Sequence, residues 1–342
     1  MVRMSALKPL ALAAATLAVS VPASAETVLK FSWFGPPVAD FNKNGVFKWG
    51  EEVGKVTEGR VRIEFLAKSA GAPPAHFDLI RDRVVDAAYY LPGITRGRFV
   101  LHQAAEFPFG GSSAATNSVV YWRTYKKHFE KAGEHKDVQV LTALTHGPGL
   151  IHNSKRPIAS AKDMKGLKFR VPGETIGTLA KTLGAVPMFA SIGQVPQLVT
   201  RGVADGVFLP WNAVGDFKLA KTLKYTTIVP GGIYNVTFHV AANPKKWATL
   251  SAADRTAIMG ISGEAGARAI GGSWDVGDRR GAAYSRSSKA QWTEMGAAFR
   301  AEVEEAFRPM RDAWIEAARA KGVDGEAVLT YMREQRAALG GK

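Results

Sequence analysis

Residues Lys165-Gly166-Leu167-Lys168-Phe169-Arg170-Val171-Pro172-Gly173 read as a short strand that ends in a turn and opens a helix. Leu167, Phe169 and Val171 alternate with Lys168 and Arg170, so the period-two geometry of a strand sends the apolar set to one face and both cations to the other. Ile176, Leu179, Ala180 and Leu183 then recur at helical spacing, and Gly184 is a natural stop. Arg170 is thereby placed at the carboxyl end of a strand beside the amino end of a helix. A planar guanidinium and free backbone N–H groups can both face an anion there, where α/β folds usually keep their ligands.

Around this stretch the chain is ordered as strand and helix in alternation. Glu26–Ser32 has β alternation, Phe41–Val56 carries apolar residues at helical intervals, and Val61–Ala67 alternates again, a β-α-β order that predicts a parallel sheet with a crossover helix. Further elements are expected as a helix at Ala75–Val85, a strand at Asp86–Tyr90, an amphipathic helix at Ser118–Phe129 and a buried strand at Val138–Leu144. Thr145-His146-Gly147-Pro148-Gly149 follows, with Gly and Pro suited to absorb rotation at a hinge. Beyond it come a short helix at Gln194–Thr200, a strand at Gly206–Leu209, a helical stretch at Phe217–Leu223 and a returning strand at Val236–Ala241. The remainder is expected to be mostly helical, with one long element through Trp292, Phe299, Phe307 and Trp314.

Composition narrows the chemistry. The 342 residues, 46% hydrophobic, suffice for two cores. With no cysteine, disulfides, thiolate metal sites and a cysteine nucleophile are excluded. Arg3 and Lys8, an apolar run from Pro9 to Val21 and Ala23-Ser24-Ala25 have the form of a signal peptide cleaved after Ala25, which predicts export to the periplasm. Losing the two leader cations lowers the formal charge from +15 to +13. The cations are dispersed and lack interleaved aromatic motifs, so the excess is read as steering for small anions rather than as a nucleic-acid surface. No dinucleotide fingerprint, phosphate loop or nucleophile elbow is present, the seven histidines form no closely spaced pair of the metal-binding type, and no cofactor is implied.

Arg156-Pro157-Ile158-Ala159-Ser160-Ala161-Lys162-Asp163-Met164 leading into the arginine strand, Leu183-Gly184-Ala185-Val186-Pro187-Met188, and Arg201-Gly202-Val203-Ala204-Asp205-Gly206-Val207 follow one another in an order and spacing that resembles the DctP-type solute-binding proteins of TRAP transporters, the tripartite ATP-independent periplasmic systems. The resemblance implies a two-lobed α/β periplasmic-binding-protein fold with mixed sheets, an inter-lobe cleft and a helical C-terminal region bracing both lobes. On that basis residues 1–25 are the leader, 26–147 the first lobe continued by 236–275, 148–235 the second lobe, and 276–342 the brace. It also implies that Arg170 holds a ligand carboxylate and that the partners are a small organic acid and integral membrane permease subunits. Relatives usually carry Gly where Arg83 stands. Sialic-acid-binding relatives carry a second arginine and an asparagine where this chain has Leu150 and Leu209, so sialic acid is not expected. Trp211, Trp33, Tyr89, Tyr90 and Phe208 are the expected lining of the cleft, by virtue of aromatic side chains near strand ends. The competing readings are a secreted enzyme on a two-lobed scaffold and the binding protein of an ATP-driven importer.

Overall fold

A computed structural model describes residues 26–340 apart from 96 and 112; the predicted leader lies outside the described residues. Among the described residues, eleven strands form two mixed sheets. The first contains β1 (Thr27–Ser32), β2 (Val61–Phe65), β3 (Ala87–Tyr90), β4 (Gln139–Thr145) and β10 (Thr237–Ala242), in the order β2-β1-β3-β10-β4. The second contains β5 (Leu150–Asn153), β6 (Lys168–Val171), β7 (Val186–Phe189), β8 (Gly206–Leu209), β9 (Tyr225–Ile228) and β11 (Gln291–Glu294), in the order β11-β9-β5-β8-β6-β7. β1 pairs in parallel with β2 and β3, whereas β10 returns antiparallel between β3 and β4. The chain therefore passes between sheets from β4 to β5 through residues 145–150, and back from β9 to β10. Each sheet forms the floor of one lobe.

Two long helices join the lobes. Helix Gly263–Ser287 lies against both: its Asp275 carboxylate accepts from the N–H groups of Ala114 and Ala115 at 2.7 and 3.1 Å, capping helix Ala114–Thr124, and its Asp278 accepts from Asn212 N at 2.7 Å, at the start of helix Trp211–Asp216. The approach is close enough that a Cβ at Gly281 would lie 1.9 Å from the carbonyl oxygen of Trp211. Helix Ala297–Ala320 meets the first lobe through Trp314, whose indole donates to Val100 O at 3.0 Å, and the second through Glu302, which accepts from Ala161 N at 2.6 Å.

Three expectations are corrected. Phe217–Leu223 is not helical but a series of turns, because the helix is initiated earlier, directly after Pro210, and ends at Asp216. The long element through Trp292 is interrupted: Gln291–Glu294 pairs in parallel with β9 as an edge strand, and the helix starts only at Ala297. The helix read as Phe41–Val56 opens with a π-helical segment, Phe41–Val46, before its α-helical part, Phe47–Val56. Extra-wide turns of this kind recur at functional sites.

Candidate functional site

β6 is buried at three of its four positions. Phe169 and Val171 enter the core of the second lobe as the alternation requires, but Arg170 and Lys168, which share the other face, differ: Lys168 is exposed and Arg170 is only 3% exposed. Arg170 sits where β6 pairs with both β7 and β8, and the segment following β7 covers it. Its Nε donates to the carbonyl of Ala190 at 2.9 Å, and among the described residues it has no other hydrogen bond and no carboxylate partner. Burial pushes its pKa down to about 10, so the group is still a cation at neutral pH. A buried, unpaired charge is costly to keep and strongly favours an anion that can reach it.

Such an anion has a place to come from. Arg170 lines a cavity of about 420 Å³ between the lobes. The first-lobe wall is aromatic. Phe41, on the π-helical segment, stacks face to face on Trp274 with centroids 4.0 Å apart, and Phe238 of β10 lies 4.7 Å from the same indole. Tyr89 and Phe34 complete this wall, their rings 4.6 Å apart. The Tyr89 hydroxyl accepts from Phe34 N at 2.9 Å and has two acceptors in reach of its one proton, Phe34 O and, at 3.1 Å, Asn42 Oδ1, while Asn42 Nδ2 donates to the carbonyls of Phe34 and Pro36, 3.0 Å each. These bonds hold the loop after β1 over the cavity and consume the tyrosine's polar group, so its contribution to the lining is an apolar ring.

Of the expected lining residues, Arg170 and Tyr89 face the cavity and four do not line it. Tyr90 follows Tyr89 on β3 and so points to the opposite face, where its hydroxyl meets His135 Nδ1 at 2.8 Å and His239 Nδ1 at 3.0 Å. Trp33 turns away from its neighbour Phe34, donating to Leu66 O at 2.8 Å and packing edge-on to Phe47. Phe208 is fully buried between Phe169 and Tyr234, and it is Leu209, the next residue, that lines the cavity. Trp211 packs on His152 and Trp292 outside the cavity, leaving Asn212 inside. Phe41, Phe238 and Trp274 carry no local motif; only the sheet order and the long helix bring them together.

Charged groups also join the lobes at the cavity's edge. Arg280 pairs with Asp216 at 2.6 Å and with Asp40 at 2.9 Å, linking the helix after β8 to the start of the π-helical segment. Glu106 is buried and accepts from Thr237 Oγ1 at 2.9 Å and Thr237 N at 3.1 Å in the first lobe, and from Thr175 Oγ1 at 3.4 Å in the second; burial pushes its pKa up to about 7. Among the described residues no cluster of three or more His, Asp or Glu side chains is arranged to hold a metal ion.

The model of the bacterial extracellular solute-binding proteins, family 7 (DctP), matches residues 36–318. The chain belongs to this family. A TRAP periplasmic solute binding protein from Bordetella bronchiseptica with bound (R)- and (S)-mandelate is 34% identical, with a TM-score of 0.89 over 92% of this chain and 99% of that one. A TRAP solute binding protein from Rhodoferax ferrireducens in complex with copurified benzoate is 30% identical, with a TM-score of 0.83 over 91% and 98%. Among curated relatives, the protein TsaT of Comamonas testosteroni, named an outer membrane transporter protein, is 33% identical over 306 residues, 88% of this chain and 89% of its own. This DctP-family chain is thus a solute-binding receptor of the TRAP type with the two-lobed mixed α/β fold. No helix among the described residues is long and apolar enough to cross a membrane.

Proposed function

We propose that this receptor captures an aromatic monocarboxylate in the periplasm, after removal of the leader, and delivers it to the membrane permease subunits of a TRAP transporter. The observation that carries the reading is a single buried guanidinium, free of acidic partners, at the edge of a cavity whose other wall is Phe34, Phe41, Tyr89, Phe238 and Trp274. One carboxylate accepts two parallel hydrogen bonds from the terminal nitrogens of Arg170, a geometry that lysine cannot reproduce. The aryl body lies against the aromatic wall, where each buried ring contributes both area and edge-to-face contacts. Arg170 is the one cation among the described lining residues, so a C4-dicarboxylate would leave its second charge uncompensated in an apolar space. The mandelate and benzoate carried by the two relatives above match this chemistry.

The test is a ligand panel read by thermal unfolding. Benzoate, mandelate and phenylacetate at millimolar concentration should raise the melting temperature by several degrees, and succinate should not. A shift with succinate and none with the aryl acids would overturn the assignment.

A further inference from the structure

Beside the cleft the lobes meet backbone to backbone at two glycines. Gly173, between β6 and helix Glu174–Thr182, lies so near Gly93 that a Cβ on it would stand 2.9 Å from the carbonyl oxygen of Gly93. A Cβ on Gly93 would in turn stand 2.8 and 3.0 Å from the two carboxylate oxygens of Glu106. The second lobe thus closes over the Glu106 carboxylate across one layer of glycine backbone, and Thr175 reaches it with a hydroxyl at 3.4 Å. Pro172, Gly173 and Ile176 of the second lobe face Ile94 and Val236 of the first across a residual space of about 10 Å³, the lower limit for one water molecule.

Among the described residues no cation pairs with this carboxylate. His102, on the same short stretch, Leu101–Glu106, holds Nε2 at 3.8 Å, but burial keeps it neutral by lowering its pKa to about 3. Burial likewise holds His239 neutral, two residues past Thr237 on β10, and raises the phenols of Tyr121, on helix Ala114–Thr124, and Tyr234, ahead of β10. From the second lobe come Glu174, an acid on the first turn of its helix, and Arg170, whose guanidinium lines the cleft. Exclusion of water therefore decides the protonation state of Glu106, and burial pushes its pKa up to about 7. Opening the cleft lets water back to that face and returns the group toward the ordinary carboxylate range.

We propose that Glu106 is a proton-coupled latch of the cleft: as the second lobe closes over a bound aromatic carboxylate it seals the Glu106 carboxylate from water, and Glu106 takes one proton from solvent. Oε1 already accepts both Thr237 donors, so the proton goes to Oε2, and the new O–H donates to Thr175 Oγ1, a hydroxyl that accepts as well as donates. Glu106 does not line the main cavity, so it is a positioning residue that acts through the fit of the lobes. The receptor then takes up an anion and a proton together and gives up both on opening. Between the ordinary carboxylate range and about 7 the closed state holds the proton and the open state does not, so affinity falls as pH rises through that window. The inference rests on the aromatic-acid reading above for its ligand and goes beyond it in the coupling.

Calorimetric titration of the full mature chain with mandelate tests it, at pH 6 and pH 8 and in two buffers of different ionisation enthalpy, which together count the protons exchanged. The wild-type chain should take up a substantial fraction of a proton per ligand at pH 6 and little at pH 8, and should bind about three-fold or more tightly at pH 6. Glu106→Gln, which mimics the protonated acid, should lose both the uptake and the pH dependence. Gly173→Ala leaves Glu106 its Thr237 bonds but sets a Cβ against Gly93, and should bind more weakly with less uptake; thermal melts verify that each variant is folded. Binding without uptake by the wild-type chain at pH 6 would overturn the coupling and leave the aromatic-acid reading standing. Uptake that persists unchanged in Glu106→Gln would overturn the role of Glu106. Failure of mandelate, benzoate and phenylacetate to bind at either pH would remove the reading itself and this inference with it.

Discussion

Asp278 stands so close to Gly147 that a Cβ added to the glycine would lie 1.9 Å from the carboxylate's Oδ2. The contact joins the β4-to-β5 crossing to the long helix that touches both lobes. Gly147 is therefore needed for space. Gly147→Ala must displace a carboxylate that also accepts from Asn212 N, and should destabilise by about 1 to 3 kcal/mol in urea denaturation. Shortening the acid in Gly147→Ala/Asp278→Ala should recover part of that loss, a non-additivity that independent sites would not show.

The buried histidines set the response to acid. His76, His102, His135, His146, His152 and His239 are all buried, and burial lowers each pKa, to about 3 for His102 and His135 and about 4 for His146 and His152. Below their ordinary value near 6.5 the unfolded chain binds protons that the folded chain refuses, so stability falls as pH drops through that range. Glu106 acts in the opposite sense: its pKa is raised to about 7, so between the ordinary carboxylate range and 7 the folded chain holds the extra proton and stability falls as pH rises. Burial raises Asp278 in the same direction. Glu134 and Asp216 are raised by burial as well, so six histidines stand against four carboxylates, and the melting temperature should fall between pH 7 and pH 5. An unchanged or higher value at pH 5 would contradict this balance.

Glu106 alone can be isolated from that balance. Glu106→Gln keeps an acceptor for Thr237 and removes the buried charge, so it should stabilise at pH 8 by roughly 2 kcal/mol and have little effect at pH 5. Equal effects at the two pH values would show that the carboxylate does not titrate between them.

Arg83 occupies a left-handed turn, with φ of +63°. A residue with a Cβ pays steric strain there of roughly 1 to 2 kcal/mol, partly offset by the entropy that glycine would lose on folding. Since Arg83 is exposed, Arg83→Gly should stabilise by about 0.5 to 1 kcal/mol without changing ligand affinity. Destabilisation would mean that the arginine side chain contributes more than its backbone costs.

How far the amino-acid order reveals the molecule depends on whether a feature is local. β6, its turn and the following helix are legible because alternation, Pro172-Gly173 and helical spacing lie within twenty residues. The burial of Arg170 is not, since Lys168 shares its face and is exposed; coverage of the arginine comes from the segment at Ala190 and from the opposite lobe. Tyr89 and Tyr90 show the same limit: alternation says that they part, but only the neighbouring sheet and helices decide which one meets the cleft. β11 has just four residues and gains its identity by pairing with β9, more than sixty residues earlier, so no periodicity announces it. Trp274 lies on a glycine-rich helix whose role is set by the two lobes it touches.

The most direct test is calorimetric titration of the tightest-binding aromatic acid into Arg170→Met. Methionine fills much of the volume without the charge, so the unliganded variant should be as stable as the wild-type chain or more so. Its affinity should fall by roughly 30- to 5000-fold, the equivalent of about 2 to 5 kcal/mol for a desolvated charge pair. Affinity within three-fold of the wild-type value in a folded variant would contradict the account.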